Sequence, residues 1–242
     1  MRGKNKVSGP FHSTAGTLLV NSWWHTLQGE GPDAGHPAIF VRLAKCNLRC
    51  YFCDTEFEDG KIYSYSALAD EICLAAKAHK CHLVVITGGE PLLQNIIPFV
   101  KAVNARGLAV TVETAGTVYC EDIHTVFSTY GYYCGNLIIC SPKTPLLNKQ
   151  ILPYIGALKY IIRNGEYSDD DGLPMRSTQI EGQESVIYRP GEGLSANVPI
   201  YVQPMDEGDA DKNKMNMQAA TRICLKHGYR LSLQMHKIVG VD

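Results

Sequence analysis

Three cysteines lie close together in the segment Cys46-Asn-Leu-Arg-Cys50-Tyr-Phe-Cys53. Thiolates are the usual ligands of iron–sulfur clusters, and a four-iron cluster held entirely by protein normally has four of them. Three thiolates in one short loop can face the same cluster and leave one iron open, as a catalytic metal site requires. The spacing therefore predicts a catalytic iron–sulfur cluster with an open coordination position.

Two simpler explanations of these thiols stay open. A structural zinc site could combine the three cysteines with His25 or His36, although no second ligand pair follows at zinc-finger spacing. The thiols could also be ordinary core residues, but buried free cysteines are uncommon in so polar a segment.

The other cysteines show no cluster spacing, and we interpret them as buried free thiols. An auxiliary cluster built from Cys120, Cys134 and Cys140 is the alternative. The other three cysteines outside the loop, which belong to no proposed cluster, are Cys73, Cys81 and Cys224.

The composition limits the compartment and the partners. The chain has 9 cysteines in 242 residues, and its polar, basic N-terminal segment lacks the apolar stretch of a secretory signal. Free thiols or metal ligands are therefore favoured over disulfides, and we expect a cytoplasmic protein. The net charge of −1 offers no bulk attraction for nucleic acid. Because no apolar stretch approaches the roughly 20 residues of a membrane-spanning helix, no membrane partner is expected.

Short apolar segments alternate with helical patterns along the chain, which is typical of a parallel sheet with covered faces. A chain of 242 residues suits a single α/β barrel domain. The predicted strands are 38–43, 82–87, 108–114, 137–141, 157–163, 199–205 and 230–234, and the predicted helices are 65–80, 92–105 and 212–227.

The predicted domain has two irregular parts. Residues 1–20 are expected to form a flexible N-terminal tail before a core domain over 21–242. Residues 164–198 break the alternation and are expected to form an insertion or long surface loop before the last barrel strand. The acidic run Asp169-Asp170-Asp171 in this insertion is interpreted as a solvated turn rather than a metal site.

Polar residues follow directly after several predicted strands. In parallel α/β barrels the active site lies at the C-terminal ends of the strands, so we expect these residues to meet the cysteine loop. The segments are Thr87-Gly88-Gly89-Glu90, Glu113-Thr114, Ser141-Pro142-Lys143 and Gln203-Pro204-Met205-Asp206.

The CxxxCxxC spacing after the first predicted strand resembles the signature of the radical S-adenosylmethionine (SAM) superfamily. Gly88-Gly89-Glu90-Pro91 resembles the GGE segment of that superfamily, whose backbone holds the methionyl amino group of SAM. Glycine there lets the main chain approach a ligand closely. The resemblance implies a partial, open parallel β/α barrel with a [4Fe–4S] cluster. It also implies that the cluster reduces SAM and that a 5′-deoxyadenosyl radical forms.

Further segments resemble the 7-carboxy-7-deazaguanine synthase family, and the resemblance covers nearly all of 21–242. It implies a Mg²⁺-dependent ring contraction of 6-carboxy-5,6,7,8-tetrahydropterin to 7-carboxy-7-deazaguanine, with loss of ammonia, in queuosine biosynthesis. It also implies a lyase that forms a homodimer and uses an external one-electron donor such as flavodoxin or ferredoxin. The segments are Leu27-Gln28-Gly29-Glu30-Gly31-Pro32, Phe40-Val41-Arg42-Leu43, Cys53-Asp54-Thr55-Glu56, Ser141-Pro142-Lys143, Gln203-Pro204-Met205-Asp206 and Gln234-Met235-His236-Lys237.

The same resemblance implies a role for individual residues. An Arg fork suits the carboxylate of the substrate, and amide groups suit pterin edges. The implied substrate contacts are Leu27, Gln28, Gly29, Arg42, Thr87 and Asp242. The implied SAM contacts are Phe52, Cys53, Asp54, Gly89, Ser141, Pro142, Lys143, Gln203, Pro204, Met205 and Asp206.

Thr55 matches the Mg²⁺ ligand of the family, although by itself it would be interpreted as a turn or helix-cap residue. His236 either contacts the substrate or caps a strand. Glu90, Glu113 and Thr114 are further candidates for the site because they follow strand ends.

Another enzyme class has a similar cysteine loop and a similar length. A glycyl-radical activating enzyme would act on a protein partner and would not need Gln28, Arg42 and Thr55. The adjacent Trp23 and Trp24 are expected to serve packing, with a dimer interface as a second reading, rather than to form a cofactor platform.

Overall fold

The computed structural model describes residues 6–9, 16–53, 55–128, 135–179, 185–191 and 193–241. Within these ranges, 9 strands form a single sheet. They are β1 (Thr17–Leu27), β2 (Pro37–Leu43), β3 (Lys61–Ser64), β4 (Leu83–Gly88), β5 (Ala109–Thr114), β6 (Leu137–Cys140), β7 (Ala157–Ile162), β8 (Ile200–Pro204) and β9 (Arg230–Leu231). The helices of the described ranges are α1 (Tyr65–His79), α2 (Ile97–Asn104), α3 (Ala210–His227) and α4 (Met235–Val239).

The sheet follows the order β3-β1-β2-β4-β5-β6-β7-β8-β9. Every neighbouring pair from β2 and β4 to β8 and β9 is parallel, whereas β1 pairs antiparallel with both β2 and β3. The two edge strands, β3 and β9, do not pair with each other, so the sheet stays open. The predicted open parallel β/α barrel is confirmed.

Alternating side chains give the parallel strands two different faces. One face packs against the helices and is apolar, with residues such as Val41, Ile86 and Val112 fully buried in the main core. Each fully buried side chain of this size contributes about 1.5–3 kcal/mol to folding. The opposite face, inside the barrel, carries the residues between them, including Arg42, Thr87 and Glu113. The strand period of two therefore separates the core from the candidate site.

Local signals define the helices. The hydroxyl of Ser64 accepts a hydrogen bond of 3.2 Å from the amide of Ala67 and caps α1, and Lys80 follows the helix in the left-handed conformation. The helix predicted over 92–105 is shorter, because a 3-10 turn at Pro91–Leu93 precedes it and Pro98 lies in the first turn of α2. Proline is tolerated there, since the first amides of a helix lack intrahelical partners.

Strand β1 corrects the predicted N-terminal boundary. The expected flexible tail extended to residue 20, but β1 begins at Thr17, and the side chains of Leu18 and Val20 are 0% and 1% exposed. The strand pairs with β3 on one side and β2 on the other, which buries its apolar residues and orders the segment. Strands β1 and β3 and the short helix α4 were not predicted, and the strand predicted over 230–234 spans only Arg230–Leu231. The other predicted strands agree to within one residue at each end.

The segment 164–198 contains no helix or strand among the residues of it that are described. It is nevertheless partly internal, since Leu173 and Ile187 belong to the main core. Asp169 and Asp170 are exposed as predicted, whereas Asp171 pairs with Arg189 at 2.6 Å. No helix in the described part of the chain is long and apolar enough to cross a membrane.

Candidate active site

A cavity of about 450 Å³ opens at the carboxyl ends of the parallel strands. It brings together most of the residues that the sequence singled out, from the cysteine loop to the segment after β8. The predicted residues that line it are Leu27, Gln28, Arg42, Cys46, Cys50, Phe52, Cys53, Thr55, Thr87, Gly89, Glu113, Thr114, Ser141, Lys143, Gln203, Pro204, Met205, Asp206 and His236.

The register of the strands places polar and apolar side chains of the interior side by side. Arg42 on β2 is paired with Thr87 on β4, and Ile161 on β7 is paired with Gln203 on β8. Thr87 donates a hydrogen bond of 3.1 Å to Glu113 on β5. Leu137, Ile139, Ala157 and Tyr201 form a separate buried apolar cluster. The cavity therefore has a polar wall next to an apolar cluster.

The cysteine loop forms one side of the cavity. Cys46 is 8% exposed, and its sulfur accepts a hydrogen bond of 3.4 Å from the amide of Leu48. Burial raises the pKa of the Cys46 thiol to about 12, and the nearby charges of Glu90, Cys50 and Cys53 act in the same direction. A cationic group is needed to hold the Cys46 sulfur as a thiolate, which is the charge that an iron–sulfur cluster brings.

The three thiols suit a cluster better than a single ion. In the described part of the chain, no group of three or more His, Cys, Asp or Glu side chains converges on one metal position. The thiols of a four-iron cluster bind different irons and therefore stand farther apart than the ligands of one ion. The two histidines proposed for zinc, His25 and His36, are exposed and do not line the cavity.

Two glycines allow the end of β4 to approach this loop. Gly88 has a φ of +135°, and a Cβ atom there would lie 2.1 Å from the carbonyl oxygen of Leu43. A Cβ atom at Gly89 would lie 2.0 Å from the carbonyl oxygen of Lys45. The amide of Glu90 donates to that same carbonyl at 2.9 Å. Any side chain at either glycine would push the strand end away from the cysteine loop.

Glu90 supports this junction from outside the cavity. Its side chain is 0% exposed and accepts hydrogen bonds from the Thr114 hydroxyl at 2.7 Å and the amides of Ala115 and Leu92 at 2.8 and 3.1 Å. Burial raises the pKa of this carboxyl group, and the three donors offset part of the rise. The side chain therefore joins the ends of β4 and β5 and does not face a ligand.

Lys159 is a functional candidate that the sequence prediction missed. It lies in β7, is 6% exposed, and its ammonium group pairs with Glu30 and lies 3.9 Å from Glu113. Burial lowers the pKa of Lys159, but the two carboxylates outweigh that effect and raise it. A lysine within the apolar strand Ala157–Ile162 was the signal that could have found it, because an interior charge needs a partner.

Glu30 is the partner that holds this lysine. Burial raises the pKa of Glu30, but the Lys159 charge and the hydrogen bonds from Lys159 and Gln234 outweigh it and lower the pKa to about 2. Gln234 donates to Glu30 at 2.9 Å and Gln203 donates to it at 3.1 Å. Gln28 donates to Glu113 at 3.2 Å. The cavity therefore has a connected polar wall built from three strands and two loops.

Trp23 and Trp24 pack on different sides of β1. Trp23 packs against the main core, as expected, but Trp24 lines the cavity. Its ring lies 4.6 Å from the guanidinium carbon of Arg42 and 5.3 Å from the ring of Phe40. A cation–π contact of this kind limits the orientations of the guanidinium group. Trp24 therefore packs against Arg42 and Phe40 at the wall of the cavity.

Several predicted residues lie elsewhere or have another role. Gly29, Pro142 and Glu90 do not line the cavity, and Asp54 and Asp242 lie outside the described residues. Gly29 makes room for His236, because a Cβ atom on Gly29 would lie 2.0 Å from the Nδ1 atom of that histidine. The amide of Met235 donates to the Gly29 carbonyl at 3.0 Å, which seats α4 against the cavity.

Asp206 and the cysteines outside the loop complete the set of predicted residues. Asp206 accepts a hydrogen bond of 2.7 Å from Lys237, which is the main reason that its pKa lies below the usual range. Of the cysteines considered for an auxiliary cluster, Cys120 and Cys140 are buried in the main core, and Cys134 lies outside the described residues.

Comparison with known proteins identifies the family. Residues 41–159 match the sequence profile of the radical SAM superfamily. The chain is 40% identical over 253 residues to a 7-carboxy-7-deazaguanine synthase of Rhodospirillum rubrum, and the match covers 100% of both chains. The chain belongs to the 7-carboxy-7-deazaguanine synthase family. A member from Rickettsia prowazekii is 36% identical over 254 residues, with 100% of this chain and 96% of the relative covered.

The fold agrees with this family. The structure is similar to a crystal structure of QueE from Escherichia coli with a TM-score of 0.64, at 23% identity, covering 91% of this chain and 95% of that one. As a radical SAM enzyme of the 7-carboxy-7-deazaguanine synthase family, the chain is expected to use SAM and a [4Fe–4S] cluster. The three thiols that line one cavity, with an iron position left open, fit that requirement. Family membership decides against both the zinc module and the glycyl-radical activating enzyme.

Proposed function

We propose that this enzyme converts 6-carboxy-5,6,7,8-tetrahydropterin into 7-carboxy-7-deazaguanine in a Mg²⁺-dependent ring contraction with loss of ammonia. The proposal makes it a carbon–nitrogen lyase of queuosine biosynthesis. The observation that carries it is a single cavity that joins the three thiols to a wall with Arg42, Gln28 and Glu113. A carboxylated bicyclic substrate needs a cationic fork for the carboxylate and hydrogen-bonding groups for the ring edges.

Arg42 is the residue that would bind the substrate carboxylate. Its planar guanidinium group can donate two parallel hydrogen bonds to a carboxylate, which lysine cannot do. Trp24, at 4.6 Å, restricts the orientation of this group. Because Arg42 lies on β2, immediately before the cysteine loop, it would hold the substrate beside the cluster.

Glu113 and Gln28 would recognise the pterin ring. The two carboxylate oxygens of Glu113 already accept hydrogen bonds from Gln28 and Thr87, and each oxygen has a second lone pair for a ring N–H donor. Lys159 stays protonated, lowers the pKa of Glu30, and lies 3.9 Å from Glu113. These residues would orient the substrate and exclude water from its ring edges.

The residues around the thiols would hold SAM. When bound, the cluster and SAM supply the one-electron cleavage that starts the radical reaction. Gly89, Ser141, Lys143 and the segment 203–206 line the cavity on the side of the strand ends, where a nucleoside and an amino acid group could be bound. Backbone groups at Gly89 can approach the ligand, because the glycine has no Cβ atom.

Thr55 would provide the protein ligand for Mg²⁺. It lines the same cavity as Arg42, two residues after Cys53. Mg²⁺ prefers oxygen ligands and usually keeps several waters, so one hydroxyl group together with substrate oxygens is a reasonable set. The ion would neutralise the substrate carboxylate together with Arg42.

An anaerobic assay with 6-carboxy-5,6,7,8-tetrahydropterin, SAM, Mg²⁺ and a chemical reductant tests the proposal. We expect 7-carboxy-7-deazaguanine as the product, measured by chromatography and mass spectrometry. Absence of the deazapurine from enzyme with a full iron–sulfur content would contradict the proposal.

The variant Arg42→Lys sharpens this assay. We expect the KM for the pterin to rise roughly tenfold to hundredfold, the equivalent of the 1.5–3 kcal/mol of a hydrogen bond to a charged group. Arg106→Lys is the matched control, because Arg106 pairs with Asp70 on the surface. An equal KM for the two variants would exclude Arg42 as the carboxylate ligand.

We further propose that the enzyme works as a cytoplasmic homodimer with flavodoxin or ferredoxin as its electron donor. The radical SAM family requires a one-electron reductant, and these proteins are the usual sources. Sedimentation analysis of the purified protein tests the dimer, and turnover with each purified donor in place of the chemical reductant tests the donor.

A further inference from the structure

The segment 164–198 reaches the cysteine loop and contacts one sulfur atom directly. The hydroxyl of Thr178 lies 3.0 Å from the Cys50 sulfur, and the side-chain nitrogen of Gln179 lies 3.4 Å from the same atom. The amide of Tyr51 donates to the Thr178 carbonyl at 3.0 Å, and the amide of Arg49 donates to the Gln179 side-chain oxygen at 3.0 Å. Two residues that are more than 120 positions distant in the chain therefore surround Cys50.

The donors are consistent with one another. The Gln179 side-chain oxygen accepts from Arg49, which assigns its other end as the NH₂ group. That NH₂ group has two protons, one for the Cys50 sulfur and one for the Thr178 hydroxyl oxygen at 3.3 Å. The Thr178 hydroxyl proton is then directed to the sulfur at 3.0 Å, since its contact with the Lys143 carbonyl is longer, at 3.3 Å. A thiolate strengthens this preference, because hydrogen bonds to charged acceptors are stronger.

The turn that carries these donors is held firmly. Ser177 and Thr178 are 6% and 7% exposed. The amide of Thr178 and the hydroxyl of Ser177 both donate to the Lys143 carbonyl, at 3.1 and 3.0 Å. The amide of Ser177 donates to the Ser185 carbonyl at 2.7 Å. The backbone that positions Thr178 and Gln179 thus does not depend on their side chains.

We propose that Thr178 and Gln179 are positioning residues of the iron–sulfur site, which hold the Cys50 thiolate and raise the reduction potential of the cluster. Hydrogen bonds to cluster sulfurs stabilise the more negative reduced state, so each bond makes reduction easier. The inference rests on the cluster that the family membership implies, but not on the identity of the substrate. It gives the insertion a function, which is to tune the group that the external donor must reduce.

Redox titration of the anaerobically reconstituted full chain, followed by electron paramagnetic resonance, tests this inference. Thr178→Val removes the hydroxyl donor, and Gln179→Leu removes the NH₂ donor together with the oxygen that accepts from the Arg49 amide. Both variants keep the approximate size of the side chain. We expect each variant to shift the one-electron reduction equilibrium about threefold to tenfold toward the oxidised cluster, where tenfold corresponds to 59 mV. Thr178→Ser retains the hydroxyl and is expected to keep the wild-type potential.

Thr221→Val is the matched control, because the Thr221 hydroxyl donates to the Met217 carbonyl on the exposed side of α3. Wild-type iron content with an unchanged potential and spectrum in both test variants overturns the inference. If Thr178→Val fails to retain the cluster while Thr178→Ser retains it, the bond from hydroxyl to sulfur is supported. If Thr178→Val and Thr178→Ser lose the cluster to the same extent, the inference is overturned.

Product analysis of the wild-type enzyme in parallel separates this inference from the proposed function. A shifted potential without deazapurine formation retains the inference and rejects the proposed reaction. Deazapurine formation by the wild type, with unshifted potentials in the variants, supports the proposed reaction and rejects the inference.

Discussion

Glu30 and Glu90 are both acidic side chains with little exposure to solvent, yet they differ in charge environment and role. Glu30 lines the cavity beside Lys159, and its pKa is lowered to about 2 because the lysine outweighs the effect of burial. Glu90 is held by neutral donors on Leu92, Thr114 and Ala115, and burial raises its pKa. The comparison shows that burial alone favours the neutral acid, and that a paired cation is needed to keep a carboxylate charged in the interior.

This difference also distinguishes a residue that lines the cavity from a residue that holds the surrounding strands together. Glu30 belongs to a network of polar side chains that a polar substrate can contact, and Gln203 and Gln234 are further members of it. The Glu90 side joins two strand ends and has no free face in the cavity. Variants at the two positions should therefore affect stability for different reasons.

Lys159→Met is expected to have the largest effect on stability. It removes the cation and leaves Glu30 and Glu113 as partly buried carboxylates without a counter-charge, and the loss is expected to approach the roughly 3–5 kcal/mol of a broken buried pair. Chemical denaturation of the variant measures the loss. The double variant with Glu30→Gln should recover part of it, because the uncompensated charge on Glu30 is gone. A double variant no more stable than Lys159→Met alone would show that the pair is not coupled.

The second-largest effect is expected from Glu30, as a loss of stability at low pH. Its folded pKa of about 2 lies below the value of 4.5 for the unfolded chain. The resulting stabilisation is complete above pH 4.5 and is lost as the pH falls toward 2. At about 1.4 kcal/mol for each unit of pKa difference, the loss is on the order of 3 kcal/mol. Unfolding free energies of the wild type and Glu30→Gln between pH 2 and pH 6 measure it, and parallel profiles would contradict it.

Glu90→Gln is expected to cost about 1–3 kcal/mol, because one of its three donors would face an NH₂ group in place of an oxygen. The sign of the pH effect is opposite to that of Glu30. A folded pKa above the unfolded value means that wild-type stability falls as the pH rises through the interval between them. Glu90→Gln should lack this fall. Denaturation at several pH values checks the slope, and an unchanged slope would refute the assignment.

Thr55→Ala is expected to have the smallest effect on stability, within about 0.5 kcal/mol, since Thr55 lies in the cavity and not in the core. Its effect should appear in catalysis, as weaker activation by Mg²⁺ and slower turnover with an intact cluster. Titration of activity with Mg²⁺ measures this effect. Thr144→Ala, which removes the surface hydroxyl that donates to Leu146, is the control. An identical Mg²⁺ response in the two variants would remove Thr55 from the metal site.

Much of the fold could be predicted from local patterns. Buried strands such as β4 and β7 were located to within one residue, because continuous apolar runs bounded by turn residues are characteristic of parallel strands. Strand β1 was missed because its sequence, Thr17–Leu27, mixes polar and apolar residues and becomes ordered through pairing with β2 and β3. The short helix α4 was missed because it depends on the space left by Gly29.

The sequence by itself determined the chemistry of the site, from the thiols of Cys46, Cys50 and Cys53 to the polar residues after each strand. These are local signals, since the spacing of ligands and the ends of apolar runs can be read within a few residues. The tertiary structure alone decided which distant residues meet, such as Lys159 with Glu30, Trp24 with Arg42, and Thr178 with Cys50. Such long-range contacts depend on strand register and on the path of the long insertion. They cannot be predicted from the sequence, because contacts between residues far apart in the chain produce no periodic pattern.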